Sequence, residues 1–291
     1  MNKIKSVFNI ILPEHAIIPL IGIFIGASIA GQTTPNFNLL IIPFISFVFL
    51  VWGFNALNGI FDLNVDTLNK PKRPLPNKDL TIKQVFLITL VFDITGLILA
   101  FFVSLNIFIL ALAFVVVGLM YSMSPLHLKA RFLGINLTGG IMYGIIPVLI
   151  GNLLVSNILI SFPFYLFIFG VTALLSSIKD FDDWRGDSTY KIKTLPVLLG
   201  PKNAAKIIGI LLLTIVITFL IYSIYTFDQR MILASSICLL FSLILVIYLL
   251  QNMEDIQKFY SRDIIHESSI TRMCILIILF METVFGLVYL I

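Results

Sequence analysis

Charge is what this chain has least of. Aspartate, glutamate, lysine and arginine make up 12% of its 291 residues, against about 25% in an ordinary soluble domain. Too little polar side chain is present to solvate a globular surface. With 59% hydrophobic residues, the composition excludes a soluble protein and predicts a polytopic membrane protein. Cysteine is nearly missing. Cys238 and Cys274 are the only two, each inside an apolar run, so neither a disulfide framework nor a thiolate metal role is expected. Basic and aromatic residues are nowhere interleaved on one stretch, which excludes nucleic acid as a partner. The pI near 9.0 comes from charged loops instead.

Apolar runs are what the chain has in abundance. Runs near the spanning length of about 20 residues fall near 14–31, 38–60, 82–104, 106–122, 133–152, 158–179, 203–225, 230–250 and 270–291. They predict an all-α bundle of about nine transmembrane helices around a central cavity. The first run is too long for a signal-peptide core and lacks a convincing small-residue cleavage site, so it reads as a spanning helix. Lysine and arginine cluster at the amino terminus and in every second loop after it, and Arg230 is the only one on the opposite side. By the positive-inside rule the amino terminus is cytoplasmic and the carboxyl terminus outside, in a multi-pass protein of the cell membrane.

Against this apolar background the stretch from Asn58 to Pro76 stands out. It reads N-G-I-F-D-L-N-V-D-T-L-N-K-P-K-R-P-L-P. Asn58, Asp62 and Asp66 stand four apart. Each such step turns about 40° and climbs about 6 Å, so all three share one helical face. Lys70, Lys72 and Arg73 follow, and Pro71, Pro74 and Pro76 end the helix. Carboxylates followed by cations suit a magnesium ion carrying a phosphate. The metal takes hard oxygens from one or two carboxylates and from substrate phosphates, and the cations hold the remaining phosphate oxygens.

The ladder recurs at an offset of 121 residues. Asp62, Asp66, Lys70 and Lys72 map onto Asp183, Asp187, Lys191 and Lys193. Asp180 extends the second ladder upstream, Lys179 takes the place of Asn58, and Asp182 points about 100° away from Asp183. Gly186 is expected to loosen the helix before Asp187. Two facing ladders predict a two-metal clamp on a diphosphate. Both lie in loops on the cytoplasmic side, as does the loop Y-S-M-S-P-L-H-L-K-A-R-F-L-G-I-N, where Tyr121, Lys129, Arg131 and Asn136 are further candidates for the diphosphate. Glu14 and His15 open the first run. They read either as solvated interface residues or as part of the mouth near an acceptor. Asp93 and Glu282 lie inside apolar runs and are left without a role.

The two stretches resemble the UbiA-type family of intramembrane prenyltransferases. The first is similar to that family's N-D-x-x-D-x-x-x-D motif followed by R-P-L-P, the second to its K-D-x-x-D-x-x-G-D motif followed by K-T-L-P. Gly59 stands where many members have Asp, and Glu14-His15 where an Arg-Pro is usual. The resemblance covers the chain as a single transmembrane domain, 1–291, with its motifs at 58–76 and 179–196. It implies an enzyme that binds a prenyl diphosphate through two Mg²⁺ ions and transfers the prenyl group to a lipophilic acceptor within the membrane lipid. Metal ligands are then expected at Asn58, Asp62, Asp66, Asp180, Asp183 and Asp187. Diphosphate contacts are expected at Asn58, Lys70, Lys72, Arg73, Tyr121, Lys129, Lys179, Lys191 and Lys193. The S-P-L-H-L-K loop points to an aromatic, quinone-precursor or tetrapyrrole acceptor. The tail of the first motif and K-T-L-P-V point equally to archaeal enzymes that alkylate a glycerophosphate ether. A reading from another class is an ion-coupled transporter, which also has intramembrane carboxylates and an internal repeat.

Overall fold

The computed structural model describes residues 3–258 and 269–289, with helical side chains described up to residue 252 and again from 272. Among these residues every regular element is helical. In chain order they are α1 (Lys3–Ile11), a 3-10 turn (Pro13–Ala16), α2 (Ile17–Gly31), α3 (Phe37–Phe61), α4 (Leu63–Asn69), α5 (Ile82–Val103) and α6 (Leu105–Ser122). A second 3-10 turn (Leu128–Ala130) leads to α7 (Gly134–Gly139), which continues through a π-helical stretch (Gly140–Ile145) into α8 (Ile146–Val155). Then come α9 (Phe162–Thr189), α10 (Leu195–Leu199), α11 (Pro201–Tyr225), α12 (Gln229–Lys258) and α13 (Ser269–Leu287). Eight helical stretches among the described residues are long and apolar enough to cross a membrane. The 19-residue α13 takes the ninth place expected from the apolar runs.

Two large apolar cores divide the bundle, with a smaller third cluster under the loop after α4. One gathers α2, α3, α6 and α8, with Phe47 edge-on to Phe114 at 5.4 Å. The other gathers α9, α11, α12 and α13, where Phe167 stacks on Phe219 at 4.5 Å. The outer helices turn large apolar side chains outward, Phe86, Ile94 and Phe101 on α5 among them. In a bilayer such side chains meet lipid and need no further cover. The first ladder follows the end of α3 and the second rides on α9 of the other core, and the site forms where α4 meets α9.

Three boundaries differ from the apolar pattern, each for a local reason. The first run, expected from residue 14, is preceded by a separate helix α1, because Leu12 turns left-handed at φ 47 and Pro13 opens a new turn. Helix α1 turns Ser6, Asn9, Ile10 and Ile11 inward and leaves Ile4 and Phe8 exposed. Helix α3 ends at Phe61 and α4 restarts at Leu63, with Asp62 at the joint. The sixth run reaches Thr189, about ten residues past its apolar end, because Ile178, Phe181 and Gly186 keep one face buried. The whole second ladder therefore rides on one unbroken helix.

Candidate active site

The joint at Asp62 does not break the first ladder. Asp62 N–H donates to Asn58 O, Asp66 N–H to Asp62 O and Lys70 N–H to Asp66 O, at 2.8, 2.8 and 2.7 Å. The spacing of four is thus carried by the backbone bonds themselves, and Asn58 Nδ2 donates to Asp62 Oδ2 at 2.7 Å. The prolines that follow turn the chain back, and Leu75 and Leu80 pack with Ile10, Ile11 and Ala56. This return brings Arg73 onto Asp66, with Nη1 3.1 and 2.9 Å from the two carboxylate oxygens. Gly59 has its own reason here. Ile10 Cδ1 from α1 lies 2.8 Å from where a Cβ at 59 would be, so α1 occupies the space an acidic side chain would need.

The second ladder is held against the first by Asn69 and Lys70. Asn69 Oδ1 accepts from Gly186 N–H at 3.0 Å, and its Nδ2 donates to Asp183 O at 3.0 Å. Lys70 Nζ reaches Asp183 Oδ1 at 2.6 Å. Lys129 arrives from the 3-10 turn after α6 and donates to Asp62 Oδ2 at 2.5 Å. Tyr121, half-buried at the end of α6, sets its ring 5.6 Å from Phe54 on α3. Asn136 donates to Ala173 O and Ser177 Oγ at 2.8 and 2.6 Å, which pins α7 to α9 just below Asp180.

Gly186 does not loosen α9, contrary to expectation. The helix runs on to Thr189, and a Cβ at 186 would sit 2.4 Å from Asn69 Nδ2. The glycine is there to admit Asn69. Asn69 itself went unnoticed in the sequence, although it stands three residues after Asp66 and completes the same face. Lys72, Lys191 and Lys193 are exposed and Lys179 is half-buried. Arg131 is exposed and donates to Pro125 O at 3.2 Å. Lys70, Arg73 and Lys129, by contrast, are buried among the carboxylates.

Five carboxylates therefore converge on three buried cations at one end of the bundle. Among the described residues no three acidic, histidine or cysteine side chains form a ready metal cluster, because Asp62, Asp66 and Asp183 each hold a cation of the chain. Asp187 differs. It is 1% exposed, and neither carboxylate oxygen has a hydrogen-bond partner. Burial pushes Asp66 above the ordinary carboxylate range, against the pull of Arg73. Burial also pushes the Lys129 ammonium down, but Asp62, Tyr121, Asp187 and Asp183 outweigh it and hold its pKa well above the usual lysine value, so Lys129 stays charged. A further cation at the unpartnered oxygens of Asp187 and Asn58 would offset the cost of burying these carboxylates, as protonation would.

The sequence profile of the UbiA prenyltransferase family matches residues 20–265. The chain belongs to that family. Among curated relatives, digeranylgeranylglyceryl phosphate synthase of Methanococcus aeolicus is 31% identical over 255 residues, 86% of this chain and 88% of its own length. The enzyme of that name from Thermococcus kodakarensis is 28% identical, covering 75% of this chain and 78% of its own. Among solved structures, a UbiA homologue of Archaeoglobus fulgidus bound to GPP and Mg²⁺ superposes with a TM-score of 0.74 over 98% of this chain and 99% of that one, at 18% identity. A structure described as digeranylgeranylglyceryl phosphate synthase superposes with a TM-score of 0.63 over the same shares at 21% identity. At such identities the likeness shows the UbiA fold. Family membership makes the chain a membrane prenyltransferase and leaves the transporter reading without support.

Proposed function

We propose that this prenyltransferase moves a prenyl group from a prenyl diphosphate to the hydroxyl of a glycerophosphate ether, as the name digeranylgeranylglyceryl phosphate synthase describes for its relatives. This reverses the order expected from the S-P-L-H-L-K loop, which favoured an aromatic or tetrapyrrole acceptor. The contact of that loop's Lys129 with Asp62 supports reading the loop as part of the diphosphate side, where it says little about the acceptor. The observation that carries the diphosphate reading is the convergence of both carboxylate ladders on Lys70, Arg73 and Lys129.

The residues present fit Mg²⁺. The unpartnered buried oxygens of Asp187 and the Oδ1 of Asn58 are hard donors of the type that ion takes. Asp62, Asp66, Asp183 and Asp187 would hold it, with Asn58 and Asp180 beside them. The ion, when bound, neutralises the diphosphate and lowers the energy of the leaving oxygen. Lys70, Arg73 and Lys129 exchange their carboxylate partners for phosphate oxygens and stay charged while negative charge builds on the leaving group. Tyr121, near enough to Lys129 to act on its charge, offers its phenol to the diphosphate. Lys72, Lys179, Lys191 and Lys193 border the site and draw the diphosphate toward it. The apolar bundle takes the prenyl chain and keeps water from the allylic carbon. The basic loops favour an opening to the cytoplasm.

The test is transfer by the purified chain from labelled geranylgeranyl diphosphate to geranylgeranylglyceryl phosphate, with and without EDTA, against an aromatic acid as rival acceptor. Metal-dependent ether formation supports the reading. Preference for the aromatic acceptor would reject the acceptor, and transfer unaffected by EDTA would reject the metal.

A further inference from the structure

We propose that α1 is an interfacial anchor that seats the chain on the anionic head groups of the bilayer and, through its last turn, steadies the start of the first ladder. At about 100° per residue, Phe8 lies about 40° from Ile4 round the helix, and Lys3 and Lys5 lie about 100° to either side of Ile4. Burial follows the same division. Ile4 and Phe8 are 67% and 52% exposed, Lys3 and Lys5 are exposed, and Ser6, Asn9 and Ile10 on the opposite face are buried. An apolar ridge between two lysines is the pattern of a helix lying in the membrane surface. The ridge enters the acyl region, and the lysine stems run along it to carry their ammonium groups to the phosphates.

The level of α1 in the fold fits that surface. Ile10 and Ile11 pack in one cluster with Ala56, near the end of α3, and with Val85, in the first turn of α5. One spanning helix stops at this level and another starts. Lys78 and Lys83, two residues from Leu80 and Val85 of the same cluster, are exposed. Charge complementarity thus favours anionic over neutral head groups, each lysine near such a surface giving roughly a fivefold preference. The other end of α1 is fixed to the helix that carries the first ladder. Asn55 Nδ2 on α3 donates to Ile11 O at 2.8 Å, taking up a carbonyl that the helix end leaves open. Ile10 Cδ1 abuts Gly59, and Asn58 beside that glycine donates to Asp62. A short helix held by the membrane surface at one end and by Asn55 at the other keeps α3 from shifting under the ladder.

The experiment places the full-length chain in vesicles of phosphatidylcholine alone, or of equal parts phosphatidylcholine and phosphatidylglycerol. A spin label on Phe8→Cys reports depth, by its collisions with oxygen, which concentrates in lipid, and with a water-soluble nickel chelate. The native Cys238 and Cys274 are buried. In the anionic vesicles the label should meet oxygen and be shielded from nickel, and Lys3→Gln combined with Lys5→Gln should raise its exposure to nickel. With Mg²⁺ present, wild type should retain labelled geranylgeranyl diphosphate roughly fivefold more tightly than that double variant in anionic vesicles, and equally in neutral ones. A label reached by nickel equally in both vesicles overturns the inference, as does a double variant that retains the donor like wild type in anionic vesicles. Dipolar broadening between labels would assign the ridge to a second copy of the chain. A gain from inorganic phosphate in neutral vesicles would assign the lysines to a free anion. Either result overturns the inference too. No acceptor enters these measurements, so their failure is distinct from failure of the proposed function.

Discussion

Asn69 fills the space that a side chain at Gly186 would need. It accepts from the Gly186 N–H at 3.0 Å, and a Cβ at 186 would lie 2.4 Å from its Nδ2. Helices α4 and α9 meet through this contact, 117 residues apart in the chain. Gly186→Ala should therefore separate the ladders. An overpacked contact costs about 1–3 kcal/mol, but a smaller displacement already spoils metal geometry. Turnover should fall steeply while Tm falls by a few degrees. Asn69→Ala should do likewise, by leaving the Gly186 N–H and the Asp183 carbonyl without their partner. Wild-type turnover in Gly186→Ala would show that the contact does not position the site.

The carboxylates divide by the helical face they occupy, Asp182 and Asp183 being equally half-buried. Asp62, Asp66, Asp183 and Asp187 replaced singly by Ala should remove most turnover in protein that still inserts. Asp182→Ala should cost far less, because its side chain points off the shared face. Asp187→Asn is the sharpest of the set, since it keeps the shape of the side chain and removes only the charge. Its Mg²⁺-dependent rise in Tm with a non-hydrolysable diphosphate should vanish. A rise equal to wild type would remove Asp187 from the metal set.

The lysines divide by burial. Lys70 is 2% exposed and bound to Asp183, whereas Lys191 and Lys193 are exposed on the turn after α9. A charge-assisted contact is worth about 1.5–3 kcal/mol, or roughly ten- to a hundredfold in affinity or rate. Lys70→Ala and Lys129→Ala should lose at least that much in kcat/KM for the prenyl diphosphate. Moving Lys191 or Lys193 by two positions, with net charge kept, should cost less than either. Equal losses for buried and exposed lysines would place all of them on the diphosphate.

Sidedness can be read by labelling. Cysteines at Lys78 and Lys193 should react with an impermeant reagent only from the cytoplasmic side, and cysteines at Thr34 and Gln229 only from the other. All four positions are exposed. Reaction of Lys78 and Lys193 positions from opposite sides would contradict a site in which Lys70 and Asp183 touch.

Composition and spacing went far with this chain because a membrane punishes exceptions. An unpaired charge in lipid is costly, so twelve or more carboxylates and cations collected into two short stretches mark a site before any coordinates are seen. The candidate carboxylates Asp62, Asp66, Asp180, Asp183 and Asp187 stood out for that reason and Asn58 by its spacing of four from Asp62, and the apolar runs were legible because the bilayer sets their length. Asn69 was not, because an uncharged amide off that spacing of four carries no such signal until its partners are known. The role of Gly186 was misread for a related reason. A glycine in a sequence shows permitted freedom, and only a neighbouring helix shows that the space is used.

The sequence by itself determined that the chain spans a membrane many times, and it marked two stretches whose carboxylates and cations the fold then brings together. These follow from the solvent and from helical periodicity, both of which act locally. The tertiary structure decided which cation meets which carboxylate. It set Lys70 on Asp183, Arg73 on Asp66 and Lys129 on Asp62, and left Lys191 and Lys193 outside. Such pairings depend on how two apolar cores dock across more than a hundred residues of chain, and side-chain packing, not spacing along one helix, fixes that docking.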